Sequence, residues 1–115
     1  MKDRIEFMKK ELEHWNRMVE RSIEIMRDFL KILPRNKDTR TIIKNAKKAL
    51  DNIEISARCS YLTKHTETLK YIDWELSSMI THIEKYVVHM LGWGPKEIEE
   101  AKKKAKEQVL RKEKN

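Results

Sequence analysis

The sequence predicts an all-α protein: an antiparallel three-helix bundle of long helices followed by a charged C-terminal helix. Charged residues make up 39% of the 115 residues, well above the usual quarter or so, and only two Gly and two Pro interrupt the chain. Apolar residues recur at alternating steps of three and four over long stretches, which is the spacing of one face of a helix. These observations favour long helices with many surface ion pairs.

The chain length predicts one domain, with a helical bundle over residues 1–95 and a charged C-terminal helix or arm over residues 96–115. The formal net charge is +7, and the single cysteine, Cys59, excludes an internal disulfide. The N-terminal residues are charged throughout, and no apolar run has the length of a membrane span. We therefore expect a cytoplasmic protein without membrane contact. Heavy use of Lys, Glu, Arg and Ile is typical of proteins from hot environments.

The first predicted helix runs from about Asp3 to Ile32. Its apolar face keeps the alternating three and four spacing over four heptads, an unusually long regular pattern. We call this face the α1 seam, and it consists of Ile5, Met8, Leu12, Trp15, Val19, Ser22, Met26, Phe29 and Leu33. Pro34 disfavours helical geometry at the residue before it and ends this helix.

The second predicted helix runs from about Thr39 to Leu62, with Asp38 or Thr39 as its N-cap. Because the link between the first two helices is short, the second should fold back antiparallel to the first. Several residues on its apolar face are small, which permits close approach to neighbouring helices. This face consists of Ile43, Ala46, Leu50, Ile53, Ala57 and Ser60.

The apolar phase then slips by about two residues, which predicts either a turn or a kink in one very long helix. We prefer the turn, because three helices of similar length close into a bundle. The third helix then runs from about Glu67, capped by Thr66, to Leu91. Gly92 suits the left-handed position just after a helix, and Pro95 suits the first turn of the next. The last segment is a weakly amphipathic helix that needs a partner or frays.

Basic residues cluster at the start of the second helix. We call this cluster the basic stripe, and it consists of Arg35, Lys37, Arg40, Lys44, Lys47 and Lys48. A helix face of this kind can track phosphates, with an affinity that depends on salt and not on base sequence. The alternative is a solvated face of a Lys-rich protein. No Gly-rich phosphate loop, zinc finger or helix-turn-helix pattern accompanies it.

Large apolar residues lie on the back of the third helix, away from its apolar face. Tyr71 and Trp74 are one turn apart, and Val88 follows further along. Exposed aromatic residues ordinarily mark an interface, so we expect the C-terminal helix or a second subunit to cover them. A second subunit makes the protein a homo-oligomer, with a dimer favoured.

The candidates for metal binding and nucleophilic chemistry are few. Glu11 and His14 form one Glu-x-x-His spacing, whereas a carboxylate-bridged di-metal bundle needs that motif twice and two more inward Glu residues. His82 and His89 are expected to be hydrogen-bonding residues at the edge of the bundle. Cys59 has no paired base at motif spacing, so we expect a small buried residue. We therefore predict no catalytic residue, no metal and no cofactor.

One short pattern points to a different function. The stretch R-C-S-Y-L-T-K-H places six residues between Arg58 and His65, near a predicted helix end. This spacing resembles, at its outer limit, the R-x(4–6)-H signature of the HEPN ribonucleases, which are small helical dimers. The resemblance covers eight residues, and it implies a composite RNA-cleaving site formed by Arg58 and His65 of two subunits. Cys59 stands where that family commonly has a polar residue.

Together, these patterns predict a small, basic, non-enzymatic interaction module. It self-associates through the long first helix or through the face that carries Tyr71 and Trp74, and it contacts nucleic acid through the basic stripe. The first alternative is a dedicated DNA- or RNA-binding protein. The second is a HEPN-like ribonuclease that uses Arg58 and His65. No small-molecule substrate is evident from the sequence.

Overall fold

The structure is a computed structural model that describes residues 2–114, which form four α-helices and no strand. The helices are α1 (Lys2–Ile32), α2 (Lys37–Leu62), α3 (Thr66–Leu91) and α4 (Pro95–Lys114). The predicted all-helical class is confirmed, and each helix begins and ends within two residues of its expected position. A turn, rather than a kink, separates α2 from α3. Met1 and Asn115, which the predicted segments 1–95 and 96–115 include, lie outside the described residues.

Helix α1 lies at the centre of the fold and contacts each of the other three helices. Its pairs with α2 run in opposite order along the two helices, as in an antiparallel pair. Arg27 pairs with Asp51 at 3.0 Å, and nearer the start of α1, Glu13 accepts a hydrogen bond from the Tyr61 hydroxyl. The molecule measures 55 × 26 × 23 Å. At about 1.5 Å per residue, α1 spans most of the long dimension.

A cluster of buried apolar side chains joins all four helices. Its members include Met26 and Leu30 of α1, Leu50 of α2, Leu69 and Leu76 of α3, and Ala101 and Ala105 of α4. The C-terminal segment, which the sequence predicts to need a partner, therefore packs on α1 and contributes small side chains to the same core. Close approach of two helices requires such small residues at the contact.

Ion pairs hold α4 against its neighbours at several points. The Arg21 guanidinium donates two hydrogen bonds to the Glu113 carboxylate, at 3.2 and 3.1 Å. Asp28 is only 3% exposed, and its carboxylate accepts from the Lys112 ammonium at 3.4 Å. A buried carboxylate without a partner is costly, so Lys112 stabilises the contact between α1 and α4.

Helix α2 begins with a capping box formed by Asn36 and Thr39. The Asn36 side chain accepts from the backbone N–H groups of Asp38 and Thr39 at 2.9 Å, and the Asn36 N–H donates to the Thr39 hydroxyl at 2.8 Å. The predicted N-cap at Asp38 or Thr39 is therefore wrong, because the helix already includes Lys37. The Thr39 hydroxyl also donates to the Pro34 carbonyl at 2.8 Å, which ties the cap to the preceding turn.

Two backbone hydrogen bonds close the turn between α2 and α3. The N–H of His65 donates to the Ser60 carbonyl at 2.8 Å and the N–H of Lys64 to the Tyr61 carbonyl at 3.1 Å, the pattern of a Schellman motif. The predicted cap at Thr66 is wrong, because Thr66 is the first helical residue and His65 occupies the cap position, where its side chain makes no capping hydrogen bond.

Lys64 is held at φ 59°, in the left-handed region that favours glycine. We expect Lys64→Gly to raise the free energy of unfolding by about 0.5–1 kcal/mol, because glycine adopts this φ without a Cβ penalty. Urea unfolding of the two proteins measures the difference. Lys64→Ala is the control, since it removes the ammonium but keeps the Cβ, and a Gly variant no more stable than the Ala variant would contradict the prediction.

Helix α3 ends as the sequence predicts. Gly92 follows the helix at φ 67°, in the left-handed region, and α4 begins at Pro95. Trp93, which follows Gly92 in the sequence, packs against the apolar core. Among the described helices, none combines the length and the apolarity needed to cross a bilayer.

Candidate interaction surfaces

The basic stripe occupies an outer face of the first three turns of α2. At 100° per residue, the five helical members fall within an arc of about 100°, and they extend about 16 Å along the axis. All six members are exposed except Lys47, which is half-buried. Within residues 2–114, no carboxylate lies within 4 Å of any of the six. Their charges are therefore free to meet an anion from solution.

The position of the stripe at the start of α2 adds to its positive potential. The N-terminal end of a helix carries partial positive charge from its aligned peptide dipoles. Asp38 is the one acidic residue among residues 35–48, and its backbone carbonyl accepts from the Tyr86 hydroxyl at 3.0 Å. This surface thus combines six cations, one carboxylate and a helix N-terminus.

The outer face of α3 is uncovered in the single chain. Tyr71 is 56% exposed and Trp74 62% exposed, with ring centroids 5.9 Å apart and planes inclined by 30°. Val88, 42% exposed, lies on the same face about 21 Å further along the helix. Because α4 packs on α1, it does not cover these residues, and the assignment of Tyr71, Trp74 and Val88 to a subunit interface stays a prediction.

A shallow cleft beside Trp74 separates α2 from α3. It has a volume of about 590 Å³ and an apolar lining that includes Ile42, Ile53 and Met79. Glu75 at its edge accepts a hydrogen bond that raises the pKa of the Tyr71 hydroxyl. The Tyr71 ring is exposed and can pack against an apolar partner.

The first turns of α1 form a third surface, which we call the free end of α1. The Tyr61–Glu13 hydrogen bond and the Lys70–Glu11 ion pair (2.9 Å) mark where α2 ends and α3 begins against α1. Residues 2–10 of α1 lie beyond both contacts, and all of them are exposed. Helix α1 has 31 residues and its two neighbours have 26 each, so the first turns of α1 extend past the bundle.

Apolar side chains are concentrated at the free end of α1. Ile5, Phe7 and Met8 are each more than half exposed, and Leu62, in the last turn of α2, is 77% exposed. A groove of about 650 Å³ is lined mainly by apolar surface, which includes Ile5, Met8, Leu12 and Leu62 but not Phe7. Ile5 and Met8 lie on the α1 seam but stay exposed, because among residues 2–114 only the end of α2 and the start of α3 approach them.

Arg58 and His65, which carry the HEPN resemblance, lie in different structural elements: Arg58 in α2 and His65 in the α2–α3 turn. The Arg58 guanidinium donates to Glu54 one turn earlier at 3.1 Å, and Arg58 borders a groove between α1 and α2. His65 lies in the α2–α3 turn, with its Nδ1 atom 2.9 Å from the Thr63 hydroxyl. The composite site of that family needs a second subunit, so the ribonuclease alternative stays a prediction.

The remaining candidates occupy ordinary structural positions. Cys59 is exposed, so the expected burial is wrong: it lies on the face of α2 opposite the small core residue Ala57. Glu11 pairs with Lys70, and the His14 ring meets Trp15 edge-on at 5.5 Å. In the part of the chain that the structure describes, no three His, Cys, Asp or Glu side chains are grouped to hold a metal ion.

A further cleft of about 300 Å³ is lined by residues of α1, α3 and α4. Its floor is apolar, with Met26 and Phe29, and Glu84 at its mouth pairs with Lys102. This ion pair links α3 to α4 across the cleft.

Comparison with known proteins finds no protein-family model, no curated protein and no solved structure that matches the chain.

Proposed function

We propose that this protein is a non-enzymatic interaction module of the cytoplasm that self-associates as a homodimer and contacts nucleic acid through the basic stripe. Its architecture is an antiparallel three-helix core of α1, α2 and α3, to which the charged helix α4 is added. The proposal is supported by the kinds of surface that the fold exposes: two apolar, and one strongly basic.

Self-association is the main part of the proposal, and one observation carries it. Large apolar side chains stay exposed together in two places, the outer face of α3 and the free end of α1, although the same chain buries a well-packed core. Contiguous exposed apolar patches on soluble proteins ordinarily mark interaction sites. Burial of either patch against a second copy removes apolar area from water at a gain of about 25 cal/mol per Å².

Nucleic-acid binding is the second part, and the composition of the basic stripe favours it. Five cations lie along one outer face of α2 and Arg35 lies just before it, and within residues 2–114 none of the six pairs with a carboxylate, which suits contact with successive phosphates. Aromatic residues that stack on bases are absent from residues 35–48. Contact through the stripe should therefore read the phosphate backbone and not the base sequence.

Light scattering over a dilution series tests the self-association. We expect twice the chain mass of 13.9 kDa at high concentration, and a fall toward a single chain mass on dilution. A mass of one chain at every concentration would contradict the proposal. The free ends of α1 and the outer face of α3 are not distinguished by this measurement alone.

A further inference from the structure

We infer, on the basis of the proposed function, that the nucleic acid at the basic stripe is a duplex and that Lys31 of α1 contacts one of its strands. The stripe on α2 then faces one strand, and Lys31 on the neighbouring helix faces the other. The proposed function leaves the class of nucleic acid open and does not include Lys31.

The register of the α1–α2 pair places Lys31 beside the stripe. The Arg27 guanidinium contacts Asp51 at 3.0 Å and Glu54 at 2.8 Å. Residues four apart lie on nearly the same face of a helix, and the two helices run antiparallel. One turn beyond the Arg27–Asp51 contact, Lys31 of α1 therefore comes level with Lys47 of α2. The Lys31 side chain is 62% exposed, so it can reach an anion from solution.

The carboxylates near Lys31 do not neutralise this part of the surface. Asp28 lies 3.8 Å from the Lys31 ammonium and 3.4 Å from that of Lys112, so one carboxylate serves two cations. Among residues 2–114, Lys47 has no carboxylate within 4 Å. The end of the α1–α2 pair therefore carries net positive charge, which the phosphates of a bound strand offset.

The spacing of the two helices fits a duplex. Packed helices lie about 8–10 Å apart, so about that distance separates Lys31 from the stripe. The two backbones of a DNA duplex border grooves about 6 and 12 Å wide, whereas a single strand offers one backbone. Along α2, the stripe extends about 16 Å, which spans about five phosphates of one strand at about 3.4 Å each. Cations on the two helices can therefore contact both strands at once.

The aromatic residues lie away from these cations. No aromatic residue occurs among residues 31–48. Trp74 borders the cleft between α2 and α3, and Ile42 and Ile53 form the α2 side of that cleft. Lys47 lies on the opposite flank of α2, toward α1. Proteins that bind single strands combine a charged groove with aromatic side chains on which the bases stack, so the surface around Lys31 suits paired strands better.

Binding of a labelled duplex and of each of its separate strands tests the class of nucleic acid. At about 0.1 M salt, we expect the duplex to bind on the order of tenfold more tightly, because it carries twice the charge per unit length and presents both backbones. A single strand that binds as tightly as the duplex overturns the inference while nucleic-acid contact stands. Failure of both to bind at low salt overturns the proposed nucleic-acid contact as well.

A salt series on two matched variants tests Lys31. Each phosphate contact on a duplex contributes about 0.9 to the slope of log affinity against log salt. Lys31→Gln should therefore reduce the slope by about 0.9 and lower the affinity at about 0.1 M salt by about eightfold. The control, Lys103→Gln, removes the same charge from an exposed position of α4 and should keep the wild-type slope.

A third variant separates charge from shape. Lys31→Arg keeps the cation, so we expect it to retain the wild-type slope and affinity within about twofold. A slope that is unchanged in Lys31→Gln, or that falls equally in Lys103→Gln, overturns the assignment of Lys31. A loss in Lys31→Arg as large as that in Lys31→Gln overturns it too. Asp28 keeps Lys112 as a partner in all three variants, so their melting temperatures should match that of the wild type.

Discussion

Reversal of four charges on the basic stripe should abolish polynucleotide binding at moderate salt. The variant carries Arg40→Glu, Lys44→Glu, Lys47→Glu and Lys48→Glu, and we expect the affinity for a DNA or RNA duplex to fall on the order of 1,000-fold. Each cation on a phosphate releases a counterion, so four lost contacts remove both attraction and most of the salt dependence. Fluorescence anisotropy of a labelled duplex across a salt series measures both quantities.

A matched variant shows whether binding depends on the position of the basic stripe or only on the net charge of the protein. Four charge reversals lower the net charge from +7 to −1, because each reversal removes two charges. The control makes the same change on exposed positions of α4: Lys103, Lys104, Lys106 and Arg111 to Glu. We expect the control to keep most of the affinity. Equal losses in the two variants would show that binding depends on total charge and would contradict the assignment to α2.

A buried charge at the contact between α1 and α4 should destabilise the whole fold. Ala105 is 0% exposed on the face of α4 that meets α1. Ala105→Asp places a carboxylate in this apolar contact without a partner, and we expect a loss of about 3 kcal/mol or more in the free energy of unfolding. For a chain of this size, the melting temperature should fall by roughly 10 °C or more. Circular dichroism during heating measures the change.

The same variant tests whether the chain divides at residue 95. If α4 belongs to the same cooperative unit as α1, α2 and α3, the variant should lose all of its helical signal in one transition, at a lower temperature than the wild type. Lys104→Asp, at the exposed neighbouring position, is the control and should shift the melting temperature by only a few degrees. A small early loss of about one helix, followed by an unchanged main transition, would contradict this and would favour a bundle with a separable C-terminal arm.

The helices could be predicted because their signals are local. Apolar spacing, Pro34, Gly92 and Pro95 act through the geometry of a few neighbouring residues, and the observed helix bounds agree with them. The caps were less predictable, because Asn36, Asp38 and Thr39 are all suitable cap residues and tertiary contacts decide among them. The Thr39 hydroxyl donates a hydrogen bond to the Pro34 carbonyl, and Thr39 lies within the first turn of α2. Asn36 therefore occupies the N-cap position.

The exposed surfaces could not be predicted from the sequence, because they depend on which helices pack together. Helix packing is set by residues far apart in the chain. Spacing placed Ile5 and Met8 on the same seam as the buried Val19, but only the relative lengths and positions of α2 and α3 show that the seam is open at one end. The greater predicted length of the first helix could have indicated that its end extends past its neighbours. Likewise, Trp74 stays exposed because α4 packs on α1 and not on the outer face of α3.

Light scattering at low salt, with and without a short duplex, tests most directly whether the protein self-associates and whether the assembled form contacts nucleic acid. We expect a mass of two 13.9 kDa chains without the duplex and a heavier complex with it, which dissociates as salt is raised. A monodisperse single chain, unchanged in mass when the duplex is added, would contradict it.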